Sequence, residues 1–225
     1  MRKTILTIAI ALLVGISANA QFYIGGSLYF SNSSLKIEEL KNSSQPSYTF
    51  SISPEIGYQL NEKTAVGLSL SAYLSSYKTM SVNLNMDDIT LSGIHETKRT
   101  DFGIAPYVRY SLLKWKKFDL LGMAQVYMNA GTTEYDHVYE DGFYSNNKTK
   151  TTGWGARIRP VLFYNVSDKL TLVSHLNFCR LGFSYEKEKV PYNSNENDYT
   201  RKTIKFDLDL DTYNSLPSIG FIYKL

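Results

Sequence analysis

The stretch Tyr48-Thr49-Phe50-Ser51-Ile52-Ser53-Pro54-Glu55-Ile56-Gly57-Tyr58-Gln59-Leu60 decides the fold. Tyr48, Phe50, Ile52, Pro54, Ile56, Tyr58 and Leu60 occupy every second position. Thr49, Ser51, Ser53, Glu55, Gly57 and Gln59 fill the positions between them. A strand turns successive side chains to opposite faces, so this stretch is one strand with an apolar side and a small or polar side.

The same period recurs on both sides of it. Residues 21–31 set Phe22, Ile24, Leu28 and Phe30 against Tyr23, Gly25, Ser27 and Tyr29. Residues 64–77 set Val66, Leu68, Leu70 and Leu74 against Gly67, Ser69, Ser71 and Tyr73. Residues 97–112, 118–132 and 149–166 repeat the pattern, with Arg109, Gln125, Arg157 and Arg159 on the polar side. Over 169–185 the phase slips near Cys179-Arg180, as a β-bulge would make it do. An eighth strand lies within 203–225 and changes phase near 214–217. No segment after residue 20 keeps a helical period.

Connections of two kinds alternate without a break. Those at 61–63, 114–117 and 167–168 are short; those at 32–47, 78–96, 133–148 and 186–202 are long and polar. Short turns on one side and long loops on the other, with both chain ends on the short side, describe an all-β, up-and-down antiparallel transmembrane barrel of about eight strands. The polar face is then the inside. It is rich in Gly, Ser and Ala, which suits a narrow interior, and it carries both signs of charge. Glu55, Asp207 and Asp209 are expected to meet Arg109, Arg157 and Arg159 across the lumen, with Glu55 pairing to Arg109 or Arg157. Eight strands enclose only enough space for side chains. Pro54, Pro106 and Pro160 fall on apolar faces, where each removes a ladder bond whichever way the wall faces.

Residues 1–20 read as a signal peptide: Arg2 and Lys3, an uncharged apolar run from Ile5 to Ile16, then Ala18-Asn19-Ala20. Cleavage after Ala20 leaves a barrel domain over 21–225. The apolar run is too short to span a bilayer as a helix. Removing Arg2 and Lys3 lowers the formal charge from +3 to about +1, so nucleic acid is not an expected partner. Cys179 is the only cysteine, which rules out an internal disulfide. Tyrosine is abundant, 18 residues against 2 Trp, and suits a boundary between apolar and wet surroundings.

The run Phe22-Tyr23-Ile24-Gly25-Gly26, the repeated strand pairs and the ending Ser218-Ile219-Gly220-Phe221-Ile222-Tyr223-Lys224-Leu225 together resemble the small porin-like outer-membrane barrel family, the group of OmpX-like, OmpA-transmembrane-like and opacity-type proteins. The resemblance covers nearly all of residues 21–225. It implies an integral outer-membrane protein of a Gram-negative cell, exported by the general secretory pathway. Ile219, Phe221, Tyr223 and Leu225 resemble the terminal signal read by the barrel-assembly machinery, although the family usually ends in Phe. Outer-membrane lipid and that machinery are the implied partners. Members are mostly not enzymes.

Individual residues add little chemistry. His95 and His137 read as solvated loop histidines; a metal site with Glu96, Glu134 and Asp136 would need them all to converge. Ser174 and His175 are adjacent on a strand and so point to opposite faces, which prevents a dyad between them. Asp87, Asp88 and His95 make a weak protease case, and Asp207, Asp209 and Asp211 lack the pattern of a calcium loop. No catalytic, cofactor or metal site is expected. Tyr135, Tyr139, Phe143, Tyr144, Tyr192 and Tyr199, among small polar residues, are candidates for contact with a surface partner through the outer loops. The expected function is structural, adhesive or interactive. The alternatives are a narrow channel for small solutes and a lipid-modifying enzyme.

Overall fold

The alternation becomes a closed wall in the computed structural model, which describes residues 21–35, 45–85, 88–139, 144–176, 180–190, 199–209 and 217–225. The strands are β1 (Gln21–Leu35), β2 (Gln45–Gln59), β3 (Thr64–Asn85), β4 (Asp88–Trp115), β5 (Phe118–Tyr139), β6 (Tyr144–Asn165), β7 (Leu170–His175), β8 (Arg180–Val190), β9 (Tyr199–Asp209) and β10 (Ser218–Lys224). Every pairing is antiparallel. β1 to β6 follow one another around the barrel, and β10 pairs with β1 to close it.

Ten segments form eight staves. β7 and β8 lie end to end along β6, from Asn165↔Thr171 to Val161↔His175 and then from Ile158↔Leu181 to Lys150↔Lys189. β10 and β9 lie end to end along β7 and β8 in the same way. The expected slips of phase fall at these two interruptions. Thr171, Val173 and His175 are buried at odd positions, whereas Gly182 is buried at an even one. On the last stave Phe206 faces outward and Ile222 inward. Cys179 and Asp211 lie outside the described residues.

The outward face is apolar over a band of limited height. On β4 it runs from Phe102 through Ile104, Pro106, Val108 and Tyr110 to Leu112; on β6 it runs from Trp154 to Tyr164. Each band matches the roughly 9–11 residues a tilted strand needs to cross hydrocarbon. Above it the outward positions turn polar at Glu96, Lys98, Lys148 and Lys150. Aromatic rings mark both edges. Phe22 packs on Tyr58, and Trp115 and Tyr164 flank Phe118 at the turn side; Trp154, Phe183, Tyr185 and Phe206 cluster at the other. Lipid supplies no hydrogen-bond partner, so a wall with this exterior must close on itself. Isoleucines and phenylalanines with 36–81 % of their surface open, such as Ile104 at 43 % and Phe206 at 81 %, are the normal exterior of such a wall.

The prolines sit where the ladder is already interrupted. β2 and β3 lose registered pairing between Ile52↔Ala72 and Glu55↔Ser69, around Pro54. β4 and β5 lose it between Ile104↔Met128 and Tyr107↔Gln125, around Pro106. Pro160 faces the break between β7 and β8, where its carbonyl accepts the Leu176 N–H at 3.2 Å. Each proline still has a registered partner on its other side, Gly26, Leu68 and Gly122. The missing donors therefore fall at gaps in the ladder.

Two expectations need correction. The segments 78–96, 133–148 and 186–202 are not simply polar loops, because β3, β4, β5, β6, β8 and β9 run well into them. Backbone pairing does not require an apolar face, and polar arms continue it above the band with cross-strand pairs such as Lys148 Nζ to Glu134 Oε1 at 2.6 Å. The interior is also not polar throughout. At the turn side Tyr23, Ala65, Tyr107, Met123, Val161, Val173 and Ile222 form an apolar layer that Phe163 packs against.

Candidate functional site

The inside of the barrel is stacked in layers from the turns outward. Lowest is a chamber of about 260 Å³ lined by Lys63, Lys114, Lys116, Asp119 and Asn165 among others. It is ringed by short links: Ser111 Oγ donates to Asp119 Oδ1 at 2.6 Å, and Lys114 Nζ to the Glu62 carbonyl at 2.8 Å. The apolar layer lies above it. The hydroxyls of Tyr23 and Tyr107 meet at 3.0 Å in that layer.

Glu55 and Arg109 form the next layer. Arg109 is 1 % exposed; its Nη1 and Nη2 donate to Glu55 Oε1 and Oε2 at 2.9 and 2.7 Å. The guanidinium also lies 4.5 Å from the Tyr107 ring and 5.3 Å from that of Phe163. A planar two-pronged donor on a carboxylate, with aromatic faces beside it, is the arrangement in which arginine differs most from lysine. The pair stands between the lower chamber, which Arg109 lines, and a second one of about 200 Å³, which Glu55, Arg157, Arg159 and His175 line. Arg157 Nε donates to Gln125 Oε1 at 2.8 Å.

Small residues make these layers possible. A Cβ at Gly57 would run into the Tyr23 ring, one at Gly67 into Tyr107, one at Gly155 into Tyr127, and one at Gly131 into the Asp101 carboxylate. Glycine on the inner face is thus a socket for a large neighbour on the next strand.

Above the second chamber the interior opens. A cavity of about 390 Å³ is lined by Tyr73, Tyr77, Tyr135, Arg99, Arg201 and Glu188, with threonine and serine hydroxyls between them. Arg201 Nη2 meets Glu188 Oε2 at 2.5 Å, and Arg99 Nε meets Asp101 Oδ2 at the same distance. Burial raises the Tyr135 hydroxyl above its ordinary pKa. On the outside of the same arms Lys98 bridges Glu96 and Asp136 at 3.5 and 3.4 Å, and Glu96 raises its ammonium above the usual value.

Of the expected lumen charges, Glu55 and Arg109 come together, and Arg157 takes Gln125 instead of Glu55. Arg159 lines the same chamber as Arg157. Asp207 pairs with Arg180 at 3.0 Å, a residue the sequence reading missed because it stands at the phase slip. Asp209 is registered opposite Arg180 at the end of β9. Of the expected loop aromatics, Tyr135, Tyr139, Tyr144 and Tyr199 lie on strands, which corrects their placement in loops; Phe143 and Tyr192 lie outside the described residues. Ile219, Phe221, Tyr223 and Leu225 all face outward on the closing stave. His175 is buried in the lumen beside Arg159. His95 and His137 are not loop residues: they are registered opposite each other on β4 and β5. Glu96 and Asp136 are held on the other face of those strands.

No protein-family model matches this sequence, and no curated protein does. Solved structures do resemble it. A major outer membrane protein from Thermus thermophilus aligns over 92 % of this chain and 100 % of its own, at 12 % identity and a TM-score of 0.45. Neisserial surface protein A aligns over 92 % and 99 %, at 16 % identity and 0.36. Ail, the attachment invasion locus protein of Yersinia pestis, aligns over 92 % and 97 %, at 11 % identity and 0.30.

Proposed function

We propose that this chain is an integral outer-membrane barrel that neither conducts nor catalyses, and that it acts through contacts made by its outer arms. The occluded interior carries the reading. The apolar layer and the Glu55–Arg109 pair lie between the lower and middle chambers, and their side chains are buried. A partner at the cell surface would meet the arms of β3 to β6, β8 and β9 and the outer cavity, where tyrosines stand among hydroxyls and paired charges. That chemistry suits a hydroxylated or zwitterionic surface, such as the glycan of another cell. The apolar outer band and its two aromatic edges support residence in the outer membrane. The pattern of residues 1–20 supports export with cleavage after Ala20. The outward row Ile219, Phe221, Tyr223 and Leu225 supports insertion by the barrel-assembly machinery.

Planar-bilayer recording on the refolded barrel tests the closed interior, and the expected trace is silent. Steady unitary conductance would replace this reading with that of a narrow channel for small solutes. Binding of whole cells that display the barrel to immobilised glycans and host-cell surfaces tests the contact role. The expected binding is lost when the arms above the band are trimmed and the wall is kept.

A further inference from the structure

The chain has three histidines, and two of them share one cross-strand pair. His95 on β4 and His137 on β5 stand on the inward face of the arms, one step above Thr97 and Tyr135. Their Nδ1 atoms point at each other in direct contact, with ring centroids 4.5 Å apart and planes at 71°. The juxtaposition depends on one feature of the wall. The β4–β5 ladder shifts by one residue between Ser111 and Leu113, near the turn. Continuing the Leu113↔Leu120 register without that shift would set His95 against Val138. The bulge therefore matches histidine with histidine far up the hairpin, on one face and in one row.

We propose that His95 and His137 form a divalent transition-metal site at the outer rim, with Cu²⁺ the tightest-bound ion. Two imidazoles facing each other across one rung of the ladder, once the rings part to admit an ion, are a ligand pair for Cu²⁺, Ni²⁺ or Zn²⁺, and the general order of divalent affinities puts Cu²⁺ first. The ion enters between the rings, each neutral and carrying its proton on Nε2. Among the described residues no third His, Cys, Asp or Glu joins the pair, and in the proposed site water fills the remaining positions. The carboxylates of Glu96 and Asp136, on the opposite face, are bridged by Lys98 and stay out of the site. Without a metal the same contact is a hydrogen bond in which one ring donates to the other.

The test uses the full barrel without a histidine tag, refolded in detergent micelles and titrated with Cu²⁺ alone in a buffer that does not chelate it. Calorimetry is expected to give one ion per chain, and electron paramagnetic resonance is expected to show hyperfine structure from two equivalent nitrogens. H95Q and H137Q should each weaken binding by more than the about 10–100-fold typical of losing an outer-shell partner. H175Q, which removes the third histidine, should leave affinity and spectrum unchanged. The gel shift of unboiled protein confirms that each variant is folded. Absence of saturable binding, a spectrum with one nitrogen, or binding that survives either rim substitution would overturn the site and leave an imidazole hydrogen bond.

Discussion

The turn-side and outer halves of this barrel's interior are written in the same period-two code yet hold together differently. Below, Glu55 and Arg109 are almost wholly out of water, two-pronged and flanked by Tyr107 and Phe163. Above, Arg201–Glu188 and Arg99–Asp101 inside, and Lys148–Glu134 on the outward face of the same arms, are as short but reach solvent through at least one partner. Water access separates the halves more than residue type does. A buried charge whose partner is removed has nothing to replace it, whereas an exposed one is rehydrated.

The largest effect should follow from breaking the lower pair. Arg109→Ala or Glu55→Ala is expected to lower the unfolding free energy by about 3–5 kcal/mol, read from denaturant titration of the gel-shifted band. Replacing both with methionine should recover most of that loss, since two apolar side chains leave no orphaned charge. A double variant as unstable as the singles would mean that packing, not charge, holds this layer.

The outer wall offers the next test. Val108→Arg, in the middle of the apolar band, should cost about 2–4 kcal/mol. Thr100→Arg, four outward positions higher on the same strand, should cost far less. Equal costs would remove the boundary placed between Thr100 and Phe102. Gly57→Leu should cost about 1–3 kcal/mol by driving a side chain into the Tyr23 ring. Its partner substitution Tyr23→Ala in the same chain should relieve the strain. The smallest effect belongs to the outer half: Lys148→Ala should change stability by under about 1 kcal/mol, and less again at high salt. A large loss there would erase the contrast between the halves.

Much of this was legible in residues such as Tyr48 to Leu60, because parity alone states which side of a wall a residue faces. Parity also located both interruptions, at Cys179-Arg180 and ahead of Pro217, since an odd step in the pattern has no other meaning in a closed sheet. What parity cannot state is which inward residues meet across the lumen. That depends on the stagger of the staves, so Arg109 and Arg157 looked equivalent as partners for Glu55. The heights of the arms were hidden for a related reason. Polar strands continue pairing in water without an apolar signature, and so Tyr135 and Tyr199 read as loop residues. The histidine pair needed the one-residue shift at Ser111/Leu113, which leaves only two adjacent exposed leucines, Leu112 and Leu113, as its trace in the sequence.

The closing seam has a consequence for how the barrel is made. β3 and β4 stay paired from Thr64↔Tyr110 to Asn85↔Asp88, with one shift of register between Ser81 and Val82, across a hairpin that is local in the chain. Among the described residues β10 is registered with β1 from Tyr23↔Lys224 to Leu28↔Ile219, and with β7 from Tyr223↔Leu170 to Ser218↔His175. The β1–β10 contacts join opposite ends of the polypeptide, so the entropy of ring closure weighs most heavily on this seam. The β3–β6 sheet can accumulate its hydrogen bonds neighbour by neighbour, while circularisation must wait for the last residues to arrive. Under mechanical load applied at the C-terminus, the barrel should therefore unzip at this joint first, with the long hairpins peeling away later and at higher force.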